Sequence, residues 1–139
     1  MSDGQGKLAF ASAPWIDAAR EILEDLVATH GEPGRAFSCC ECFSDAPADV
    51  APAGIAAWHF RIDGRSVEVG AGEIADADMN VRAGYAATLP VARLVYTPEF
   101  LAQRAADRAA GKAPPANPAM SRAPRYLVEL HNRLAALTA

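Results

Sequence analysis

The sequence predicts an α+β fold: an antiparallel sheet of four to five strands covered on one face by N-terminal and C-terminal helices. Three observations carry this. Apolar residues recur at helical spacing after Ser12, as Trp15, Ile16, Ala19, Ile22, Leu23, Leu26 and Val27. The middle of the chain then alternates apolar and polar residues in short runs, the pattern of half-buried strands. Beyond Arg82 the helical spacing returns.

Residues 1–11 read as a flexible N-terminal tail, and residues 12–139 as a single domain. In the first helix Ser12 is placed to cap, Pro14 suits the first turn, and Gly31 and Pro33 mark the end. Arg35 to Phe43 reads as the first strand, with Phe37, Cys39, Glu41 and Phe43 on one face. A carboxylate among those apolar positions predicts either a place at the sheet rim or a bulge that shifts the alternation. Pro47 and Pro52 mark the following loop.

Trp58, Phe60 and Ile62 alternate with His59, Arg61 and Asp63 in the second strand. Asp63-Gly64 suits a two-residue type I′ hairpin turn, which would set Phe60 opposite Val67 and Trp58 opposite Val69. Ala77, Met79 and Val81 continue the alternation, and short connections predict a three-stranded meander. Tyr85, Leu89, Ala92, Val95 and Tyr96 suggest a helix broken or kinked at Pro90. Thr97-Pro98-Glu99 starts another, which reaches Gly111 with a face of alanines that would allow close packing. Pro114, Pro115 and Pro118 exclude a central strand, since proline lacks the donor a ladder needs. Ser121 is placed to cap a last helix with Leu127, Leu130, Leu134 and Leu137 as its stripe.

Hydrophobic residues make up 51% of the chain, too many for a disordered one. No apolar run approaches the ~20 residues of a membrane span. A polar start without basic charge does not read as a signal peptide, and three cysteines are too few for a disulfide scaffold; a cytoplasmic location is the expectation. The net charge of −4 argues against a nucleic-acid partner. Charge is uneven: residues 1–81 sum to −9 and residues 82–139 to +5. The simplest account is that acidic and basic halves pack together. A second is that Arg104, Arg108, Arg122 and Arg125 form a cationic rim for an anionic group.

No motif assembles a catalytic, cofactor-binding or metal site. Cys39-Cys40-Glu41-Cys42 lacks the second ligand pair a zinc site wants, and reads as small core residues in a strand. Cys40 or Cys42 beside His59 is the one conceivable nucleophile pair. Asp76-Ala-Asp78-Met-Asn80 mimics the start of a calcium loop, but Val81 and Ala87 stand where that loop needs glycine and a carboxylate.

One resemblance gathers these residues. Trp58, Phe60, Ile62, Asp63-Gly64, Val67, Val69, Gly72, Ala77-Asp78 and Val81 resemble the middle of the sterol-carrier-protein-like domain, a family of lipid carriers. The Pro14-Trp15-Ile16 opening is similar to bacterial members, and the likeness spans roughly residues 14–112. The family follows its middle helices with Gly-Lys-Leu-x-x-x-Gly-Asp and a fifth strand; here Gly111-Lys112 runs instead into prolines. The resemblance implies a non-enzymatic binder of a hydrophobic small molecule of lipid or fatty-acyl type, held between sheet and helices. Its lining would be Trp58, Phe60, Val67, Val69, Met79, Val81, Tyr85, Leu89 and Phe100, with Arg93, Arg104 and Arg122 as candidate cations for a carboxylate. A protein-interaction or homodimerising module with a solid core is the alternative.

Overall fold

A computed structural model of the chain describes residues 7–115 and 117–139. Helix α1 (Ala13–His30) starts where a capping side chain and a proline meet: Ser12 Oγ accepts the Trp15 N–H at 3.4 Å, and Pro14 sits in the first turn. Its stripe buries Trp15, Ile16, Ala19, Leu23, Leu26 and Val27. The helix ends at Gly31, where the Gly64 carbonyl approaches so closely that a β-carbon would not fit.

Four strands follow: β1 (Ala36–Ser44), β2 (Ile55–Asp63), β3 (Ser66–Ala71) and β4 (Met79–Gly84). The sheet order is β3-β2-β1-β4. The β1–β2 and β2–β3 pairs are antiparallel, whereas β4 lies parallel to β1. The sheet is therefore mixed, which corrects the antiparallel expectation, and β4 is not the third strand of a meander. Residues 72–78 carry the chain from one edge of the sheet to the other. Three inter-strand steps span ~14 Å, well within the ~23 Å that seven extended residues reach. Asp78 secures the landing: its Oδ2 accepts the Ser38 N–H at 2.8 Å and the Ser38 hydroxyl at 3.1 Å.

The β2–β3 turn also differs in detail. Gly64 and Arg65 form the loop, so Asp63 pairs with Ser66, Phe60 with Val69 and Trp58 with Ala71. Gly64 has a φ of 60°, whereas Asp63 stays out of the left-handed region. The pairing is two residues from the expected register, and a shift of two leaves every side chain on its own face.

Buried side chains of α1, β1, β2 and α4 share one hydrophobic cluster with Phe10 and Tyr85. Within it Trp15 meets Trp58 edge-on at 5.2 Å between ring centroids, and Phe10 meets Trp15 in the same way. Of the segment expected to be a flexible tail, residues 1–6 lie outside the described residues. From Leu8 onward the chain is tied down: Leu8 exchanges backbone hydrogen bonds with the C-terminal end, and Phe10 is buried with its carbonyl accepting the Tyr85 hydroxyl at 2.6 Å.

The helical part holds α2 (Tyr85–Ala92), α3 (Pro98–Ala109), a short 3-10 helix (Pro118–Arg122) and α4 (Leu127–Leu137). Helix α2 runs through Pro90 and ends at Arg93. Thr97 Oγ1 caps α3 by accepting the Phe100 N–H at 3.0 Å, as the sequence predicts. Yet α3 buries none of its side chains, so its alanines do not serve close packing. Ser121 does not cap the last helix; it lies in the 3-10 turn, and α4 starts at Leu127. Pro124 explains the delay, since the residue before a proline is pushed out of helical geometry, and Ala123 has a ψ of 138°. Among the described residues the sheet has four strands, and neither Pro114 nor Pro115 joins it.

Candidate functional site

The apolar face of the sheet is floored by β1, β2 and β4. Cys39, Glu41, Phe43, Trp58, Phe60, Met79 and Val81 line a half-open cavity of about 810 Å³, with Cys39, Phe43, Trp58 and Phe60 almost wholly covered by the core cluster. The opposite walls come from Thr88, Val91 and Ala92 of α2, Leu101, Arg104 and Arg108 of α3, and Leu127, Leu130, His131 and Leu134 of α4. Tyr96, Pro114, Pro115, Met120 and Arg125 complete the lining from the connecting segments.

Glu41 gives this apolar space its inner polar group. The β1–β2 register is unbroken, so no bulge turns Glu41 away, and β1 is a central strand rather than a rim. Its direct partner across the pair is Trp58, whose Nε1–H donates to Glu41 Oε1 at 2.7 Å. Burial pushes the Glu41 carboxyl above its ordinary range, and the Trp58 hydrogen bond opposes that shift only in part. Among the described residues no lysine or arginine forms an ion pair with it.

Tyr96 stands across the cavity in the α2–α3 connection. Asn132 of α4 clamps its backbone, accepting the Tyr96 N–H at 2.7 Å and donating to its carbonyl at 3.1 Å. His131 stacks on the Tyr96 ring at 3.8 Å, Phe100 stacks on the ring at 5.1 Å, and the Arg104 guanidinium lies over Phe100 at 5.6 Å. His131 Nε2–H donates to the Leu94 carbonyl at 2.7 Å. Desolvation lowers the His131 pKa and raises that of Tyr96, so both rings are neutral at pH 7. Of the arginines in the lining, Arg104 and Arg125 are exposed and Arg108 is half-buried.

Of the residues expected to line a ligand site, Trp58, Phe60, Met79 and Val81 line the cavity, and Trp58 and Phe60 are also members of the core cluster. Val67, Val69 and Leu89 pack against the core instead, and Tyr85 is buried beside Phe10. Phe100 belongs to the aromatic stack. Among the three candidate cations, Arg104 reaches the cavity, Arg93 donates to the Ala139 carbonyl at 2.7 Å, and Arg122 pairs with Asp78 at 3.3 Å. Sequence reasoning missed Glu41, Tyr96 and His131 as site residues. Only Glu41 carries a sequence signal, its break in the apolar alternation of β1.

The cysteines are free and buried. Burial, with Glu41 and Cys40 nearby, holds the Cys39 thiol far above its usual range, and burial also raises Cys42. Cys40 does stand opposite His59 on the other face of the sheet, where His59 Nδ1–H donates to the Gly72 carbonyl at 2.8 Å. Among the described residues no three His, Cys, Asp or Glu side chains are grouped to hold a metal. Asp76 pairs with Arg61, which draws its carboxyl below the usual range, and Asp78 serves Ser38 and Arg122. A second, polar cleft near the β2–β3 turn is lined by His30, Glu32, Arg35, Arg125, Glu129 and Arg133 among others. Among the described residues no helix is long and apolar enough to cross a membrane. No protein-family model, curated protein or solved structure matches the chain.

Proposed function

We propose that this chain is a non-enzymatic carrier or binder of a lipid-like or other hydrophobic small molecule, related to the sterol-carrier-protein-like family and working in the cytoplasm without cofactor or metal. The reading rests on one observation above all: an apolar cavity of about 810 Å³ over the face that holds Trp58, Phe60, Met79 and Val81. Ligand pockets of ~300–1,000 Å³ with few polar groups are the usual form of small-molecule sites. Burying ten methylenes at ~0.8 kcal/mol each contributes about 8 kcal/mol before ordering costs, which sets an expected affinity in the micromolar range. Arg104, Arg108 and Arg125 in the lining suit an acidic headgroup. Helix α3, with no buried side chain, is the wall that costs least to displace during entry.

A second reading is a protein-interaction or homodimerising module. Ile55, Leu94, Val95 and Leu137 favour it, being large apolar side chains at least 38% exposed and outside the cavity. Native mass spectrometry of the purified protein separates the two. The carrier is expected to show an extra mass of a few hundred daltons that leaves on denaturation. A clean dimer without added mass would favour the module.

A further inference from the structure

We propose, resting on the carrier reading, that the ligand has two polar ends: an acidic group held by arginine in the cavity lining, and an O–H or N–H donor received by Glu41 inside. The outer half follows from Arg104, Arg108 and Arg125, which line the cavity and are exposed or half-buried. The inner half follows from Glu41. Its Oε1 is satisfied by Trp58 at 2.7 Å, while among the described residues no hydrogen bond reaches Oε2. Cys39 on the same strand is a thiol too weak in donation to replace water there. His131 from α4 spends its Nε2–H on the Leu94 carbonyl, and Tyr96 from the connection stacks its ring on His131, with no hydrogen bond from its hydroxyl to Glu41 among the described residues.

In the empty cavity water can solvate Glu41. A purely hydrocarbon tail would expel that water and leave a polar oxygen without a partner, which is costly whether the carboxyl is charged or neutral. A ligand whose inner end donates a hydrogen bond removes that cost. A wholly apolar cavity would behave in the opposite way, rejecting any ligand with a polar tail. Glu41 therefore converts a generic apolar site into one that discriminates at the end of the chain.

The test is displacement of the neutral dye Nile red by dodecanoate, its ω-hydroxy and ω-amino derivatives, and dodecanol. In wild type at least one of the two ω-substituted acids is expected to compete as well as dodecanoate. Glu41→Leu should reverse the order, moving the relative affinity by about tenfold or more toward dodecanoate. Arg104→Ala should weaken all three acids by more than it weakens dodecanol. The difference between hydroxyl and ammonium tells whether Glu41 receives the donor as a neutral acid or as a carboxylate. If the dye binds but wild type prefers dodecanoate over both by about tenfold, or Glu41→Leu leaves the order unchanged, the two-ended ligand is wrong and the carrier reading stands. If neither the dye nor any acid binds, both fall. Should the leucine variant not fold, Glu41→Gln, which keeps an acceptor for Trp58 but loses the charge, and the wild-type series decide.

Discussion

Glu41 couples the stability of the protein to pH in a direction opposite to that of most carboxylates. Burial raises its folded pKa above the 4.5 of an exposed glutamate, so folding favours the protonated form. Its contribution is fully present below pH 4.5 and is lost as pH rises through the folded value. Glu41→Gln keeps the Trp58 acceptor and removes the titration. The melting temperature of the variant relative to wild type should therefore climb as pH rises from 4.5 to neutral. A difference that stays flat with pH would contradict the assignment. The residue is visible in the sequence as an anomaly, a carboxylate among Phe37, Cys39 and Phe43. Its meaning is not, because an unbroken strand register and a space above the strand are properties of the assembled sheet. Tyr96 and His131 give no such signal: their stack joins residues 35 positions apart, and nothing local marks it.

At the scale of elements, local chemistry is legible in the sequence and pairing is not. Caps and prolines announce α1 and α3, since Ser12 and Thr97 each satisfy a helix-start N–H within their own turn. The alternation of β2 announces a strand. That β4 passes over to pair with β1 depends on Asp78 meeting Ser38, a contact 40 residues apart. The α2–α3 connection depends on a distant contact of the same kind. Asn132 holds Tyr96 by two hydrogen bonds, and the aromatic stack continues from there to α3, whose side chains are otherwise unburied. Asn132→Ala should release this connection without touching the sheet. Hydrogen exchange is expected to speed up across residues 94–109 by about tenfold or more while β1 and β2 stay protected. Uniform acceleration through the sheet would show instead that the clamp belongs to the global core.

The whole molecule joins an acidic first part to a basic second one, and Asp25–Arg133 at 2.8 Å and Asp78–Arg122 at 3.3 Å are points where they meet. These pairs are exposed and contribute little each; burial of the aromatic and aliphatic cluster stabilises the fold far more. Beside that cluster lies the cavity, which we propose is a ligand space and not an unfilled core. Met79 lies on its floor, only partly buried, so there is room above it. A tryptophan there would occupy the cavity, whereas in a solid core it would clash. The most direct measurement is therefore binding of a fluorescent fatty acid to wild type and to Met79→Trp, with folding checked by circular dichroism. Wild type is expected to bind saturably in the micromolar range, and the variant to fold with an affinity lower by about tenfold or more. A wild type that does not bind, with a Met79→Trp protein that unfolds, would contradict the carrier reading and leave the interaction module.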